Sequence, residues 1–254
     1  LVSDWSSDVC SSDLGNFGND SVFGGDDADL IFGNQGSDRL QGDGGNDTIF
    51  GGQDSDSVFG NSGSDLIFGD LGSDAVFGGA DDDNVNGGSG DDLVAGDGGN
   101  DALFGNRGND ELLGGEGGDS LFGGQGEDTL SGGEGNDTLS GNLGTNLLIG
   151  GEGADAFVIS QQPGSVQVVA DYNATLDRLA LEQGINSGSL RITQGTGLNA
   201  NDALISLVTG TIEVTTNTAT PETDDQDATP GNVTTTTQIG RAHVCTPVTD
   251  QSRM

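Results

Sequence analysis

Aspartate recurs at every ninth residue through most of this chain. Asp20, Asp29, Asp38, Asp47, Asp56, Asp65, Asp74, Asp83, Asp92, Asp101, Asp110, Asp119, Asp128 and Asp137 follow without a break, Asn146 holds the next place, and Asp155 closes the series. Carboxylates at fixed spacing in a glycine-rich chain offer hard oxygen ligands on flexible loops. That donor set suits calcium, whereas magnesium demands a tighter octahedron and keeps its water. Catalytic patterns do not compete. A HExxH zinc helix cannot be built with the single histidine, a P-loop needs a lysine that the chain lacks, and no GxSxG elbow occurs. The many GxGxxG matches are by-products of the repeat and precede no helix.

The elements that must position these oxygens follow from a period of nine running without insertion from Gly15 to Val158 as sixteen units. Position 1 is always glycine, position 6 is aspartate except at Asn146, and position 8 is aliphatic except at Phe157. Positions 1 to 6 are expected to form a turn, with glycine at position 1 and Gly, Asn or Asp at position 2 tolerating positive φ. Positions 7 to 9 then make a short strand whose middle residue (Val22, Ile31, Leu40, Ile49 and their successors) builds a thin core. Phenylalanine at position 9 (Phe23, Phe32, Phe50, Phe59, Phe68, Phe77, Phe104, Phe122) is expected to point outward in partial ladders that stack on themselves, with a partner-binding stripe as the alternative. At position 4, Asp27, Asp54 and Asp81 replace glycine; conformational tolerance is the first reading and an added ligand oxygen the second.

These units resemble the RTX (repeats in toxin) family, whose GGxGxDxUx nonapeptide covers a little over half the chain. The resemblance implies an all-β fold, a right-handed parallel β-roll or β-solenoid in which two repeats make one coil, so sixteen repeats make eight coils. The aspartates then sort into two columns, Asp20 to Asn146 and Asp29 to Asp155, each member eighteen residues from the next. Neighbours in a column lie roughly 4.8 Å apart. Such a pair repels by about 1 kcal/mol in a water-like dielectric and about 3 to 4 at an effective value near 20. A Ca2+ ion between successive coils reverses that sign. Seven gaps in each column set an upper bound of about fourteen ions, each held with a Kd on the order of 10⁻⁴ to 10⁻³ M, the weakest beside Asn146.

Composition agrees that a packed apolar core is not the main stabiliser. Of 254 residues 31% are hydrophobic, 5% are aromatic and 48 are glycine, and the formal charge is −36. That charge excludes nucleic acid and anionic membrane surfaces as partners, and no apolar run is long enough for a membrane span. The N-terminal DWSSDVCSSDL (Asp4 to Leu14) and the C-terminal IGRAHVCTPVT (Ile239 to Thr249) back-translate as reverse complements of one DNA segment, apart from the codon for Cys245, and that segment resembles a sequencing adapter. Residues 1–14 and 239–254 are therefore expected to be foreign, and Cys10, Cys245 and His243 with them.

After the roll at 15–158, residues 159–215 alternate as short strands: Val166 to Tyr172, Arg178 to Leu181, Ser189 to Gln194, Ala203 to Val208 and Thr211 to Val214. They are expected to form a small β cap, because a stack of repeats otherwise exposes its last core and edge. ADYNATLDRLAL resembles the segment that follows such rolls, with Asp171 and Asp177 read as a solvated turn before an extra calcium site. The threonine-, proline- and acid-rich stretch 216–238 has no means of burying a core. The functional expectation is a non-enzymatic, monomeric calcium-binding module of an extracellular protein exported by bacterial type I secretion. It would act structurally or as an adhesin segment toward a cell-surface or matrix partner. The alternative is the C-terminal part of a secreted metalloprotease or lipase whose catalytic domain lay upstream. Ice binding needs a regular Thr or Asn ladder, and positions 3 and 5 are mixed (Phe17, Asp26, Gln35; Asn19, Ala28, Ser37).

Overall fold

The computed structural model describes the backbone of residues 2–4, 12–159, 165–173, 175–181, 190–194, 203–207 and 214–215, and side chains within 16–159, 165–173 and 175–181. The expected linker at 216–238 and the C-terminal segment, with His243 and Cys245, lie outside these residues, as does Cys10. Strands and turns make a parallel β-solenoid of about nine turns, with no helix among the described residues. Successive strands alternate between a 13-stranded and a 10-stranded sheet. Register is constant: Thr48 stands opposite Leu66 and Asn84 opposite Ala102. Each offset is eighteen residues, so two nonapeptides complete one coil, as the period requires.

Strands are longer than the three residues expected. Most span six, as in Thr48–Gln53, and run from position 7 through position 3 of the next unit. Pairing skips the glycine at position 1 and resumes at positions 2 and 3, and the turn shrinks to positions 4 to 6. Left-handed backbone is also distributed differently from the expectation. It occurs at position 2 in all sixteen repeats and at position 4 in every repeat but that of Asp27, whereas position 1 has ordinary φ. Gly, Asn and Asp are the residues that reach this region at least cost, which accounts for position 2 being drawn from those three. Asp54 and Asp81 adopt it with φ of 73° and 75°, the tolerance expected of them.

Position 8 forms the core throughout. From Val22 to Phe157 every one of these side chains is buried, at most 3% exposed. Outside, phenylalanines at position 9 stack as foreseen. Phe32, Phe50 and Phe68 form one ladder with centroids 5.1 and 5.0 Å apart, while Phe59–Phe77 and Phe104–Phe122 form two more at 5.1 Å. The Arg39 guanidinium covers the free face of Phe59 at 4.5 Å.

Beyond Val158 the solenoid continues irregularly. Val166–Val169 pairs in parallel with Thr145–Glu152, and Arg178–Leu181 with Ala156–Ile159. The core follows, through Ile159 and Val169 with Tyr172, Leu179 and Leu181 packed against it. Ala203–Leu207 then joins Val166–Val169 antiparallel and carries Leu190–Gln194 on its other side. That reversal interrupts the parallel order on this sheet, and Leu190–Gln194 then pairs in parallel with Val214–Thr215. At the other end Ser12–Phe17 pairs with Leu30–Gln35 and Val2–Asp4 with Ser21–Gly25, so pairing begins upstream of Gly15.

Candidate metal centre

Every position-6 side chain from Asp29 to Asp155, Asn146 included, is buried to 8% exposure or less, and Asp20 is half-buried. The geometry of one carboxylate repeats down each column. Oδ1 of Asp56 accepts the main-chain N–H of Asp38 at 2.8 Å, and Oδ1 of Asp83 that of Asp65 at 2.8 Å. Each aspartate therefore reaches back to the preceding coil. From Asp38 to Asp137 the other oxygen, Oδ2, is buried and has no hydrogen-bond partner in either column.

What Oδ2 faces is a carbonyl. A Cβ built on Gly51 would lie 2.7 Å from Asp56 Oδ2 and 2.7 Å from the carbonyl oxygen of Gly69 in the next coil. At Gly69 the corresponding distances are 2.6 Å to Asp74 Oδ2 and 2.5 Å to Gly87 O. Position 1 is glycine because this cradle must stay empty of carbon, not because the backbone turns left-handed there. Two acceptor oxygens pointed into one buried space, with no donor between them, are costly. A dication separating them removes the cost, and calcium–oxygen distances of about 2.3 to 2.6 Å match the size of the cradle. Among the described residues no three acidic, His or Cys side chains converge. Each candidate centre combines a single column carboxylate with main-chain carbonyls.

The electrostatics point the same way. Burial pushes the carboxyls of Asp56, Asp74, Asp83 and Asp92 up to about 7, and those of Asp47, Asp65, Asp101, Asp110, Asp128 and Asp137 up to about 6. The main-chain N–H opposes this shift in each of them. Repulsion from charged neighbours adds to it, chiefly from members of the same column. A file of carboxylates held this way binds protons near neutrality unless another cation replaces them.

A second polar ladder was not anticipated. Position 5 side chains accept main-chain N–H groups from the following coil: Asn46 from Ser64 at 3.1 Å, Asp82 from Asn100 at 2.7 Å, Asn109 from Glu127 at 2.8 Å. These bonds run opposite in direction to those of position 6. The signal was present, since position 5 is Asn, Ser or Asp in eleven of sixteen repeats.

The two columns end differently. Asn146 Oδ1 accepts Asp128 N–H at 2.8 Å as an aspartate would, but its Nδ2 and Gln167 Oε1 lie together against Gly141. A donor and an acceptor stand where other cradles present two oxygens, and neither makes a hydrogen bond. Gln167 Nε2 donates to Ser165 Oγ at 2.9 Å and to Asn142 O at 3.2 Å, and the single Ser165 hydroxyl proton goes to Asn142 O, with Gly144 O at 3.2 Å as the alternative acceptor. In the other column Asp177 Oδ1 takes the Asp155 N–H at 3.1 Å while its Oδ2 takes that of Asn173 at 2.7 Å. Asp171 accepts from Gly150 and Gly151 at 2.9 and 2.8 Å. Asp171 and Asp177 lie at an exposed turn, as expected, and in addition accept main-chain N–H groups of the last coil.

The sequence pattern of the RTX calcium-binding nonapeptide repeat (four copies) matches in eight overlapping placements that together span residues 14–157. No curated protein matches the chain. Among solved structures, the chain is similar to a hyperactive, Ca2+-dependent, β-helical antifreeze protein from an Antarctic bacterium. The identity is 22% and the TM-score 0.37, covering 74% of this chain and 69% of that one.

Proposed function

The chain belongs to the RTX calcium-binding nonapeptide-repeat family, and from that premise we propose that it is the calcium-operated structural module of a secreted protein. In this reading Asp20 to Asp128 with Asn146, and Asp29 to Asp155, are the side-chain ligands of two files of ions, with about fourteen gaps as the upper bound. The module is a structural calcium-binding domain, and its repeats carry no catalytic group. Export through a type I system and an adhesin-type role outside the cell are part of the proposal.

The observation that carries it is the buried Oδ2 of the aspartates from Asp38 to Asp137, without a hydrogen-bond partner and, as at Asp56, Asp74 and Asp119, beside a glycine carbonyl of the next coil. A cation satisfies such a pair, and in a file of buried carboxylates a dication also offsets their charge. At the low calcium of a cytosol the weak sites stay empty and the carboxylates repel; outside the cell they fill, and binding energy becomes folding energy. Circular dichroism of the full chain is expected to gain strand signal cooperatively in millimolar calcium and to lose it in chelator. A spectrum indifferent to chelator, or calorimetry showing no calcium uptake, would sink the reading.

A further inference from the structure

The outer face of the ten-stranded sheet carries a row of side chains whose order is the same in both directions. From Thr48–Gln53 to Ser120–Gln125, position 9 reads Phe50, Phe68, Asn86, Phe104, Phe122. Phe50 stacks on Phe68, and on Phe32 beyond the end of the row, while Phe104 stacks on Phe122, and every ring remains half-buried. Leu30, Leu66 and Leu71 share this face, 37%, 37% and 54% exposed. A cluster of exposed apolar side chains on so charged a molecule marks an interaction surface.

A two-fold axis along the central strand, Asn84–Ser89, brings this row onto itself. Phe68 of one copy then meets Phe104 of the other, and Phe50 meets Phe122. At position 3 the same operation sets Arg107 over Leu71, since both stand in register with Ser89. The Arg107 stem would cover Leu71, and its guanidinium would reach the exposed Asp70 beside it. Self-complementarity of this kind is what an isologous interface requires.

We propose that this face pairs with the same face of a second copy of the chain, as a two-fold dimer about Asn84–Ser89, once calcium has been taken up. The timing rests on the calcium reading above: about fourteen dications would leave about −8 of the −36 formal charge, removing most of the repulsion between copies. Five strands of about 20 Å at roughly 4.8 Å spacing present on the order of 500 Å² per copy. That lies at the low end of specific interfaces and gives a dimer in the tens-of-micromolar range rather than an obligate one. It replaces the monomer expected from the sequence.

Sedimentation of the full chain at about 100 µM in millimolar calcium tests this, with circular dichroism run in parallel. The wild type is expected to sediment as a dimer. Phe68→Ser should be folded but monomeric, Arg107→Glu should weaken association about tenfold, and Phe77→Ser, on the other sheet, should dimerise like the wild type. A folded wild type that sediments as a monomer, or a dimer indifferent to Phe68→Ser, overturns the proposal. Failure of calcium to fold the chain shows instead in the spectra and sinks the calcium reading.

Discussion

The interior of the roll and its C-terminal end solve one problem with different chemistry. Both must join coils across a gap lined by buried polar atoms. In the interior, Asp56 Oδ2 and Gly69 O are two acceptors with nothing between them, so the joint needs something from solution. At the end, Asn146 and Gln167 put an amide donor beside an acceptor, and Asp171 and Asp177 spend their oxygens on N–H groups. The apolar core also thickens there, with the Phe157 ring against Tyr172 at 6.0 Å. On the calcium reading proposed above, dependence on metal is a local property set by one or two side chains per gap, and it ends where the carboxylates of Asp171 and Asp177 take main-chain N–H groups instead.

The contrast is broken most severely by acid. Folding raises the pKa of the interior carboxyls above the ordinary 3.8, to about 6 or 7. A raised folded-state pKa stabilises the fold at low pH: the contribution is complete below about 4 and fades as pH rises through 6 to 7. In chelator, strand signal is thus expected to appear as pH falls from 7.5 toward 4.5, a proton taking the place of each ion. In calcium the dependence reverses, and affinity should fall with acidification below about 7. Spectra that show no acid-induced strand in chelator would argue against the raised pKa values.

Next in size is Gly51→Ala. Its Cβ would enter the cradle between two oxygens at 2.7 Å, a loss of more than about 3 kcal/mol in calcium, read from chemical denaturation. Gly118→Ala is the control, since its Cβ would meet nothing closer than 3.3 Å, and its effect should be under about 1 kcal/mol. Asp83→Ala comes third. It leaves the Asp65 N–H without its acceptor and removes a charge from the file, so the calcium midpoint of folding should rise about tenfold, whereas Asn146→Ala should move it far less. The smallest change is Asp177→Ala, which removes the acceptor for Asp155 and Asn173 and should cost about 1 kcal/mol, equally at low and saturating calcium. A strong calcium dependence of that last cost would erase the distinction between interior and end.

Much of this was legible before the fold. The position 8 core and the outward phenylalanines follow from residue types held in phase, while the all-β solenoid and the two columns came with the resemblance to the RTX repeat, whose coil of two nonapeptides translates period into adjacency. Gly51 and its equivalents were read for the wrong reason. Composition identifies a glycine but not whether it is needed for its φ or for the space beside it, and that space is defined by Asp56 and Gly69, the latter eighteen residues away. Position 5 was passed over because Asn, Ser and Asp there look like ordinary turn residues; the hydrogen-bond direction exists only once coils stack. Gln167 was invisible for a related reason. Outside the period, nothing in the chain announces that residue 167 will lie against residue 141.

The constant offset between neighbouring strands bears on how such a gene can change length. Gain or loss of eighteen codons inserts or removes a whole coil and leaves every remaining contact between coils with an equivalent partner, in both files and in both polar ladders. A change of nine codons keeps the aspartates in line but sends everything downstream to the opposite sheet, so that Phe50 no longer stacks on Phe68. An insertion or deletion of eighteen residues is therefore expected to be tolerated better than one of nine.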